Sequence, residues 1–577
     1  MAIVALIIAA PFVLGDYQLA LLTYVGLSAI AALGLVLLTG KAGLSSFGQA
    51  AFVGIGAYVS AILTLRAGWS PWTTLPVSLI AAGACAWAGA LVVVRLSGHY
   101  LSLATIAFGV AMFYLFGGLE ITGGQSGLSG IPPLSVAGTA FTSAVPSFVF
   151  VWAVLLACIA MLANLLDSRM GRAIRALKDG DLMAEAMGID TDAAKTWSFV
   201  IACVMAGFVG WFYAHFQRFV NPTAFSLGQG IEYLFMAVLG GANMLWGAVA
   251  GAAIVTLLKP LLQATLPGLL GMTGNFEGVV FGLLVILLFQ FAAEGLLPRL
   301  QRLTGGSSIT PRPIHPGARL PAGPTASASL VVEGARKSFG GIVANADVSL
   351  LVNSGEIVAL IGPNGAGKST FFDLVTGVTK ADAGRFLLNG QSIAGRTSRE
   401  IARLGIGRSF QHVRLITEMS SLENVALGAH RRGIGSMLAG MLRLERREEQ
   451  ALLAEAQAQL DRVGLADCAW LAAGSLALGQ QRILEVARAL AGDPQILLLD
   501  EPAAGLRLQE KQTLAHFIRS LRDDGLGILL VEHDMDFVMT LADRVVVMEF
   551  GRIIASGTPH SVQNDARVQE AYLGAAE

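Results

Sequence analysis

A glycine-rich loop in the second half of the chain has the composition and spacing of a phosphate-binding loop. It matches GxxxxGK[ST] in full, over Gly362, Pro363, Asn364, Gly365, Ala366, Gly367, Lys368, Ser369 and Thr370. Glycines here let backbone N–H groups close around phosphate oxygens at a helix N-terminus. Lys368 would then reach the β- and γ-phosphates of a nucleotide, and the Ser369 hydroxyl would bind Mg²⁺. A chance glycine turn is the alternative, but an apolar run at 356–361 and a helical pattern at 371–375 flank the loop, as the motif requires.

Two carboxylates follow a second apolar run. Ile496 to Leu499 has a buried-strand pattern that ends in Asp500 and Glu501. Asp500 fits the anchoring of Mg²⁺, and Glu501 fits a residue that orients or deprotonates an attacking water. Paired carboxylates at a strand end can also be simple capping groups. Their position after an apolar strand, downstream of a phosphate-binding loop, favours ATP hydrolysis.

These motifs need a sheet to position them. Residues 330–577 alternate β-branched strand runs with amphipathic helix patterns. This alternation predicts an α/β domain built on a largely parallel sheet. A charged amphipathic helix at 445–460 is expected to present a solvated face of the same domain.

Composition divides the chain into two halves of different character. Of the 79 charged side chains, 22 lie in residues 1–300 and 57 in residues 301–577. Overall, 54% of residues are apolar and 14% are charged, against roughly 25% charged in soluble proteins. The first half is therefore expected to lie in membrane lipid and the second half in water. A net charge of −1 gives no indication of a nucleic-acid partner.

The first half contains apolar segments for about ten membrane crossings. A transmembrane helix needs about 20 mostly apolar residues. The segments that meet this test are 17–39, 42–65, 72–94, 99–119, 146–166, 197–217 and 276–297. The run 225–266 is long enough for two spans broken at Gly240-Gly241, and segment 2–15 is interpreted as a short first span. If that first segment does not span, nine crossings result.

The loop 167–195 sets the orientation. Its basic residues are Arg169, Arg172, Arg175, Lys178 and Lys195, so the positive-inside rule places it in the cytoplasm. Counting crossings puts Lys41, Arg95, Arg299 and Arg302 on the same side, and 120–145 outside. This loop is also the only cytoplasmic segment of the first half long enough to form a helix that docks on the second half.

The predicted fold is thus multi-domain. Residues 1–303 are an N-terminal all-α polytopic membrane domain, and residues 330–577 are a cytoplasmic α/β domain of the P-loop type. Between them, residues 304–329 contain five prolines interspersed with Gly and Ser, a composition that is typical of a linker.

The second half resembles the ATPases of ABC transporters. Leu476-Ala-Leu-Gly479-Gln480-Gln is similar to their LSGGQ signature. Gln411 in RSFQ matches the Q-loop, His533 in LVEHD matches the switch histidine, and Phe339 stands where the family stacks an aromatic ring on adenine. Each of these three would be an ordinary loop or core residue by itself. Their order around the phosphate-binding loop makes the resemblance.

The resemblance implies roles for these residues with ATP and Mg²⁺ as cofactors. The implied catalytic residues are Glu501, His533 and Gln411. The implied nucleotide contacts are Phe339, residues 362–370, Leu476, Gly479 and Gln480. The implied Mg²⁺ ligands are Ser369, Gln411 and Asp500. The Q-loop region around Gln411 is the expected receptor for the docking loop 167–195.

Longer runs narrow the resemblance to one family. FQHVRLITEMSSLENV (410–425), LALGQQRILEVARAL (476–490) and VEHDMDFVM (531–539) look like the ATPase of branched-chain amino-acid ABC importers. LTGKAGLSSFGQAAFVGIGAY (38–58), ITGGQSGLSGIPP (121–133) and MGRAIRALKDGDLMAEAMGID (170–190) look like the permease of the same system. The family implies a multi-pass protein of the bacterial inner membrane, with a cytoplasmic ATPase that hydrolyses ATP to import hydrophobic amino acids.

The family also implies partners. These are a second permease subunit, a second ABC ATPase subunit, a periplasmic or surface-anchored substrate-binding protein and a small-molecule substrate. Two departures stand out from the family pattern. Ala477 and Leu478 replace a Ser and a Gly of the general signature, so the Gly479 N–H would take over more of the γ-phosphate contact. Arg507 follows the turn where an Asn-Pro-like pair is usual, and is either a changed contact with the partner ATPase or a simple exposed arginine.

Several alternatives stay open at this level. Glu232 and Gln229 lie at or near membrane depth and would either contact substrate or serve packing. The glycine-rich runs 40–56 and 123–130 would either line a cavity or allow close helix packing. The substrate could be urea, a short amide or an aromatic acid rather than an amino acid. An exporter is less favoured, since exporters typically have six long helices and the spans here are shorter and more numerous. A soluble ABC ATPase of translation or repair is excluded by the membrane half.

Overall fold

The computed structural model divides the chain into two units, which are described separately. The first consists of Met1–Asp167, Asp192–Ser308 and Gly440–Arg443, and the second of Ser168–Thr191, Ile309–Ala439 and Leu444–Glu577. The described residues are 2–93, 99–136, 139–141, 143–270, 277–291, 294–303, 309, 311–314, 320 and 328–573. Most of the predicted linker 304–329, and Arg95, lie outside them.

Every apolar segment predicted as a span contains a helix, although the helices begin or end inside several of these segments. The helices up to residue 303 are α1 (Ala2–Val13), α2 (Asp16–Leu35, continued by the π-helical turn Val36–Lys41), α3 (Gln49–Ala67), α4 (Pro71–Val93), α5 (His99–Gly118), α6 (Ala144–Leu166), α7 (Arg169–Ala176), α8 (Asp181–Ala186), α9 (Thr191–Gln217), α10 (Leu227–Gly240), α11 (Leu245–Leu270), α12 (Glu277–Phe291) and α13 (Leu296–Leu303). Of these, α7 and α8 belong to the second unit.

Seven helices in the described part of the chain are long and apolar enough to cross a membrane. They are α2, α3, α4, α5, α6, α9 and α11. The other three predicted spans are shorter, with 12 residues in α1, 14 in α10 and 15 in α12. The prediction of a polytopic helical domain is confirmed, while ten as the number of crossings stays a prediction.

Glycines set two of the helix boundaries. The break predicted at Gly240-Gly241 is present, since α10 ends at Gly240 and Gly241 has φ +123°, a backbone conformation that favours glycine. The span predicted from residue 42 begins instead at Gln49, because Gly43 has φ +71° and the backbone is not helical as far as Gly48. Short antiparallel pairs complete this unit: β1 (Leu128–Ser129) with β4 (Phe219–Val220), and β2 (Ser135–Val136) with β3 (Thr139–Ala140).

The second unit is built on two sheets. Its strands are β5 (Ser329–Phe339), β6 (Ile342–Asn353), β7 (Ile357–Ile361), β8 (Ala383–Leu388), β9 (Gln391–Ser392), β10 (Ile406–Arg408), β11 (Ile496–Asp500), β12 (Gly527–Val531), β13 (Arg544–Glu549) and β14 (Arg552–Gly557). Five parallel strands and the antiparallel β14 form one sheet in the order β10-β11-β12-β7-β13-β14. An antiparallel sheet has the order β6-β5-β8-β9. The predicted, largely parallel sheet is confirmed.

Burial explains why the central strands have no alternation of polar residues. Every residue of β7, β11 and β12 is buried, and such strands are covered on both faces by helices. The helices of this part are α14 (Lys368–Val375), α15 (Ser398–Leu404), α16 (Ser421–Gly428), α17 (Met437–Met441), α18 (Arg446–Arg462), α19 (Leu478–Ala491), α20 (Leu508–Asp523), α21 (Met535–Leu541), α22 (Pro559–Gln563) and α23 (Ala566–Leu573). The charged helix predicted at 445–460 is α18.

Candidate ATP-hydrolysis site

Parallel strand order brings the motifs to one edge of the sheet. β7 leads directly into the phosphate-binding loop, β11 into Glu501, and β12 into Glu532 and His533. β12 lies between β11 and β7, so the carboxyl ends of the three strands are neighbours. Ligands of open α/β sheets bind beyond these ends. Gln411 joins the same edge because it follows β10, which pairs with β11.

The loop 362–370 wraps around the position where a phosphate would bind. Gly367 has φ +97°, and a Cβ there would collide with the carbonyl oxygen of Ala344, so glycine is required on both counts. Lys368 is buried, and its Nζ donates to the carbonyl oxygens of Gly362 at 2.6 Å and Pro363 at 3.0 Å. Burial lowers the pKa of Lys368, although the carboxylates of Asp500 and Glu501 oppose that shift.

A cavity of about 380 Å³ joins the loop to the predicted catalytic side chains. Its lining residues are Ile342, Val343, Ala344, Asn364, Gly365, Ala366, Gly367, Lys368, Ser369, Thr370, Gln411, Glu501, His533 and Phe550. The sequence motifs did not identify Ile342, Val343, Ala344 or Phe550. A phosphate-binding loop, a lysine and three polar side chains around one cavity form a site that fits ATP.

Three predicted catalytic residues meet at a single carboxylate. His533 Nε2 lies 2.7 Å from Glu501 Oε1, and Gln411 Nε2 donates to the same oxygen at 3.1 Å. Glu501 has φ +48°, a left-handed backbone conformation that non-glycine residues rarely adopt. This backbone and its two partners aim the Glu501 carboxylate into the cavity, where it can orient or deprotonate a water molecule.

Asp500 lies deeper than Glu501. Its side chain is 6% exposed, and Arg408 Nη2 lies 3.9 Å from its Oδ2. Burial raises the pKa of Asp500 to about 6; the Arg408 guanidinium opposes this rise and the neighbouring Glu501 adds to it. The Asp500 carboxylate, the Ser369 hydroxyl and the Gln411 amide oxygen are the oxygen donors that Mg²⁺ prefers. Among the described residues there is no cluster of three or more His, Cys, Asp or Glu able to hold a metal by itself.

Other predicted nucleotide contacts lie outside the cavity lining. The ring of Phe339 is about half exposed and has Lys337 Nζ 5.4 Å from its centroid. Leu476 lies two residues before α19 and Gly479 in its first turn, where a Cβ would approach the Glu510 carboxylate on α20. The structure therefore gathers the P-loop, Gln411, Glu501 and His533, and places the signature segment elsewhere on the domain.

The loop between α6 and α9 is part of the ATPase unit. Ser168–Thr191 belongs to that unit by its contacts, and apolar side chains of α7 and α8 share a buried cluster with Phe410, Met419 and Leu427. Phe410 immediately precedes Gln411. The predicted docking of this loop at the Q-loop region is confirmed.

Arginines on one face of α7 reinforce the docking. Arg175 Nη2 lies 2.8 Å from Glu423 Oε1, and Arg172 Nη2 donates to Glu449 Oε2 at 3.0 Å. Arg172 is 2% exposed, so its charge depends on Glu449 for compensation. Burial alone would raise the pKa of Glu423, but the Arg175 guanidinium, the Ser420 N–H and the charge of Arg172 together outweigh burial and hold that pKa at about 2.

Arg169, at the start of α7, contacts a histidine that the motifs did not indicate. Arg169 Nη1 lies 3.1 Å from His430 Nε2 and donates to the His430 carbonyl oxygen at 2.9 Å. Arginine offers only donors, so His430 Nε2 accepts and the imidazole is neutral. Burial, together with the guanidinium groups of Arg169 and Arg172, holds the pKa of His430 well below its ordinary value of 6.5.

Family models match both halves of the chain. Residues 17–290 match the branched-chain amino acid transport system permease component. Residues 346–504 match the ABC transporter model, and residues 552–577 match the branched-chain amino acid ATP-binding cassette transporter model.

Individual relatives match the ATPase half of the chain. The high-affinity branched-chain amino acid transport ATP-binding protein LivG of Escherichia coli is 43% identical over 43% of this chain and 98% of its own length. BraF of Pseudomonas aeruginosa, with the same description, is 42% identical over the same shares. The lipopolysaccharide export system ATP-binding protein LptB of Haemophilus influenzae is 35% identical over 42% of this chain and 97% of its own. A solved nucleotide-free ATP-binding cassette of an ABC transporter is 32% identical over 43% of this chain and 99% of its own, with a TM-score of 0.39.

Membrane helices precede an ATPase whose relatives energise transport, so the protein is a multi-pass bacterial inner-membrane protein with a cytoplasmic ATPase. The permease match and the ATPase matches point to the same transport system although they cover separate parts of the chain. The chain belongs to the branched-chain amino acid ABC transporter family and joins a permease component and an ATP-binding component in one polypeptide.

Proposed function

We propose that the chain is the fused permease and ATPase subunit of an importer for branched-chain or other hydrophobic amino acids. The observation that supports ATP-driven work most directly is the convergence of Gln411 and His533 on Glu501 at the cavity of Lys368. We assign residues 1–303 to the permease, 304–329 to a linker and 330–577 to the ATPase.

In this proposal each side chain of the site has a separate task. Residues 362–370 bind the phosphates through backbone N–H groups and Lys368, and Phe339 stacks on adenine. Glu501 orients and deprotonates the attacking water, while His533 and Gln411 hold its carboxylate. Asp500, Ser369 and Gln411 provide ligands for Mg²⁺, which neutralises charge on the phosphates when bound.

The proposal includes an assembly larger than this chain. One P-loop and one signature occur in the sequence, and the signature residues Leu476, Gly479 and Gln480 are absent from the cavity lining. We assign them to the nucleotide of a second ATPase subunit. A second permease subunit would complete the pathway, and a periplasmic or surface-anchored binding protein would deliver the substrate.

Uptake in the native host tests the substrate class. A strain deleted for this gene is expected to lose uptake of labelled leucine and to recover it when the wild-type gene is restored, but not with Glu501→Gln. Urea and benzoate serve as parallel substrates. Loss of urea or benzoate uptake with leucine uptake intact would transfer the assignment to amides or aromatic acids. If the deletion strain lost the export of a compound while its uptake of leucine, urea and benzoate stayed unchanged, the assignment would change from importer to exporter.

A further inference from the structure

Two charged side chains meet between membrane helices of the permease. Lys259 Nζ on α11 lies 3.2 Å from Glu232 Oε2 on α10. Both remain partly open, with 36% of the Lys259 side chain and 21% of the Glu232 side chain exposed. Neither contributes to ATP hydrolysis, so the pair needs a separate explanation.

The pair lies deep in the membrane domain. Glu232 precedes the end of α10 at Gly240 by eight residues, and Lys259 follows the start of α11 at Leu245 by fourteen. At 1.5 Å per residue these are about 12 Å and about 21 Å from the turn between the helices. Side chains lean toward the N-terminus of their own helix, so Lys259 leans toward the turn and Glu232 away from it. The charges therefore meet about 15 Å from the turn, a distance equal to half the thickness of a bilayer core of about 30 Å.

The surface around the pair is apolar and open in this chain. Ile231, next to Glu232 in sequence, and Leu257, two residues before Lys259, are 48% and 43% exposed. Charged side chains at such a depth are costly against lipid, and they normally face a water-filled cavity or another protein surface. This face of α10 and α11 is therefore expected to adjoin water or another protein surface rather than lipid.

A backbone carbonyl near Lys259 also lacks its helical hydrogen bond. Pro260 follows it inside α11 and has no N–H, so the carbonyl of Thr256 loses its helical hydrogen bond. The Thr256 Oγ1 is buried and has no hydrogen-bond partner among the described residues. Thr256 and Lys259 are three residues apart and are neighbours on the helix surface. Interrupted membrane helices with free carbonyl groups recur at the substrate sites of transporters.

We propose that Glu232 and Lys259 form a polar step in the translocation pathway that binds the two charged groups of a zwitterionic amino acid. The Glu232 carboxylate pairs with the substrate ammonium and the Lys259 ammonium with the substrate carboxylate. This assignment rests on the proposed import of amino acids. Because the two side chains pair with each other when no substrate is present, they compete with it and keep its binding weak, as a transport step requires.

The test uses the complete assembly in proteoliposomes with its binding protein. Single variants Glu232→Gln and Lys259→Met are expected to lose most leucine uptake, but each leaves one unpaired charge and can act through stability. The double variant Glu232→Gln/Lys259→Met removes that penalty. A contact with substrate predicts that the double variant stays below about a tenth of wild-type uptake, with basal ATPase intact. Recovery of uptake in the double variant would show a structural ion pair and overturn the proposal.

Thr265→Val serves as the matched control, since it removes a polar group from the same helix, and the Thr265 hydroxyl donates to the carbonyl oxygen of Leu261 one turn away. It is expected to transport leucine like the wild type. If the wild-type assembly itself imports no leucine, the proposed function fails. If the wild type and the double variant import it equally, only the present inference fails.

A second measurement tests whether Lys259 faces water. In a chain with Cys85, Cys158, Cys203 and Cys468 replaced by alanine, Lys259→Cys is treated with 2-aminoethyl methanethiosulfonate, which restores an ammonium group. We expect the reagent to react, leucine to slow the reaction, and uptake to be partly restored. Leu261→Cys, at an exposed apolar position of α11, is the control for reaction at a site outside the proposed substrate contact. Failure of Lys259→Cys to react, or reaction that leucine does not slow, would exclude a hydrated substrate contact.

Discussion

The imidazole Nε2 of His533 lies 2.7 Å from Oε1 of Glu501, across the carboxyl ends of two neighbouring strands. The same oxygen accepts a hydrogen bond from Gln411. Two contacts to one oxygen fix the orientation of the carboxylate, and no described residue bonds its second oxygen, which can contact water. Residues from three separate loops thus control the position of one reacting group.

Replacing Glu501 with glutamine is expected to separate binding from hydrolysis. Glutamine keeps the shape of the side chain but is a poor base, so ATP should still bind while turnover falls by about a hundredfold or more. Lys368→Ala should instead lose nucleotide binding, because we assign its ammonium group to the phosphates. ATPase rates and binding of a fluorescent ATP analogue check both. Near wild-type turnover by Glu501→Gln would remove it from the role of general base.

Replacing His533 with alanine tests the contact itself. A hydrogen bond to a charged group contributes about 1.5–3 kcal/mol, so turnover is expected to fall about ten- to a hundredfold with ATP binding retained. His516→Ala is the matched control, since His516 is exposed on α20 and, among the described residues, bonds only to Gln512 O. Equal turnover in both variants would show that His533 does not hold Glu501 during the reaction.

Charge reversal on α7 is expected to uncouple uptake from hydrolysis. Arg172→Glu places two carboxylates together in a buried site, a change of about 3–5 kcal/mol, so uptake should fall at least about tenfold while basal ATPase stays nearly intact. Arg175→Glu should act in the same direction through Glu423. Lys178→Glu is the control, because its 3.6 Å pair with Glu418 is largely exposed. Unchanged uptake in all three variants would reduce the loop to a topological anchor.

The docked loop should loosen in mild acid. His430 has a lowered pKa in the folded protein, so its contribution is present above pH 6.5 and is lost as the pH falls below 6.5 and the unfolded state takes up the proton. The contribution of Glu423 persists in this range, because its pKa falls from 4.5 to about 2 and its stabilisation is lost only below pH 4.5. Hydrogen exchange of 168–191 at pH 7.5 and 5.5 measures the effect.

For His430→Gln we expect the protection of residues 168–191, measured against the unfolded chain at the same pH, to be equal at both pH values. The wild type is expected to lose protection at pH 5.5. His516→Gln, at an exposed histidine, should behave like the wild type. Loss of protection at pH 5.5 in His430→Gln as large as in the wild type would assign the acid sensitivity to another group.

Assembly gives the last prediction. The signature at 476–481 does not line the cavity of the P-loop at 362–370, so in the proposed assembly a second ATPase domain completes the nucleotide site, and we expect that domain to be a different subunit. The tagged chain purified from its native host should therefore carry a separate permease and a separate ATPase in stoichiometric amounts, as native mass measurement would show. A stable dimer of this chain alone, with substrate-stimulated ATPase, would contradict the hetero-assembly.

Local motifs were predictable from sequence where spacing alone determines geometry. Residues 362–370, Asp500 and Glu501 follow buried strands at fixed distances, so their meeting at one sheet edge follows from strand order. Phe550 could not be found in this way, because it reaches the cavity from a turn far along the chain. The partner of Arg172 is equally hidden, since Glu449 is 277 residues away and belongs to an otherwise unremarkable charged helix.

In the membrane half, too, one side-chain contact and one helix boundary could not be predicted from the sequence. Glu232 stands out as an intramembrane carboxylate, but its pairing with Lys259 depends on how α10 and α11 turn back on each other at Gly240 and Gly241. The start of α3 at Gln49 depends on the left-handed backbone at Gly43, which apolar composition does not reveal. Hydropathy identifies helices, whereas the positions of glycines decide where they begin and end.

The loop between α6 and α9 connects two permease helices in sequence, but it packs as a part of the ATPase. It has its own ion pairs and apolar cluster there. Such a surface would recognise the ATPase equally well if the two were separate polypeptides, as in systems whose ATP-binding protein is a chain of its own. Covalent fusion is therefore not what brings this ATPase to this loop. The consequence of fusion is a fixed stoichiometry: each copy of this permease is synthesised together with one ATPase domain, so the two are always produced in a one-to-one ratio.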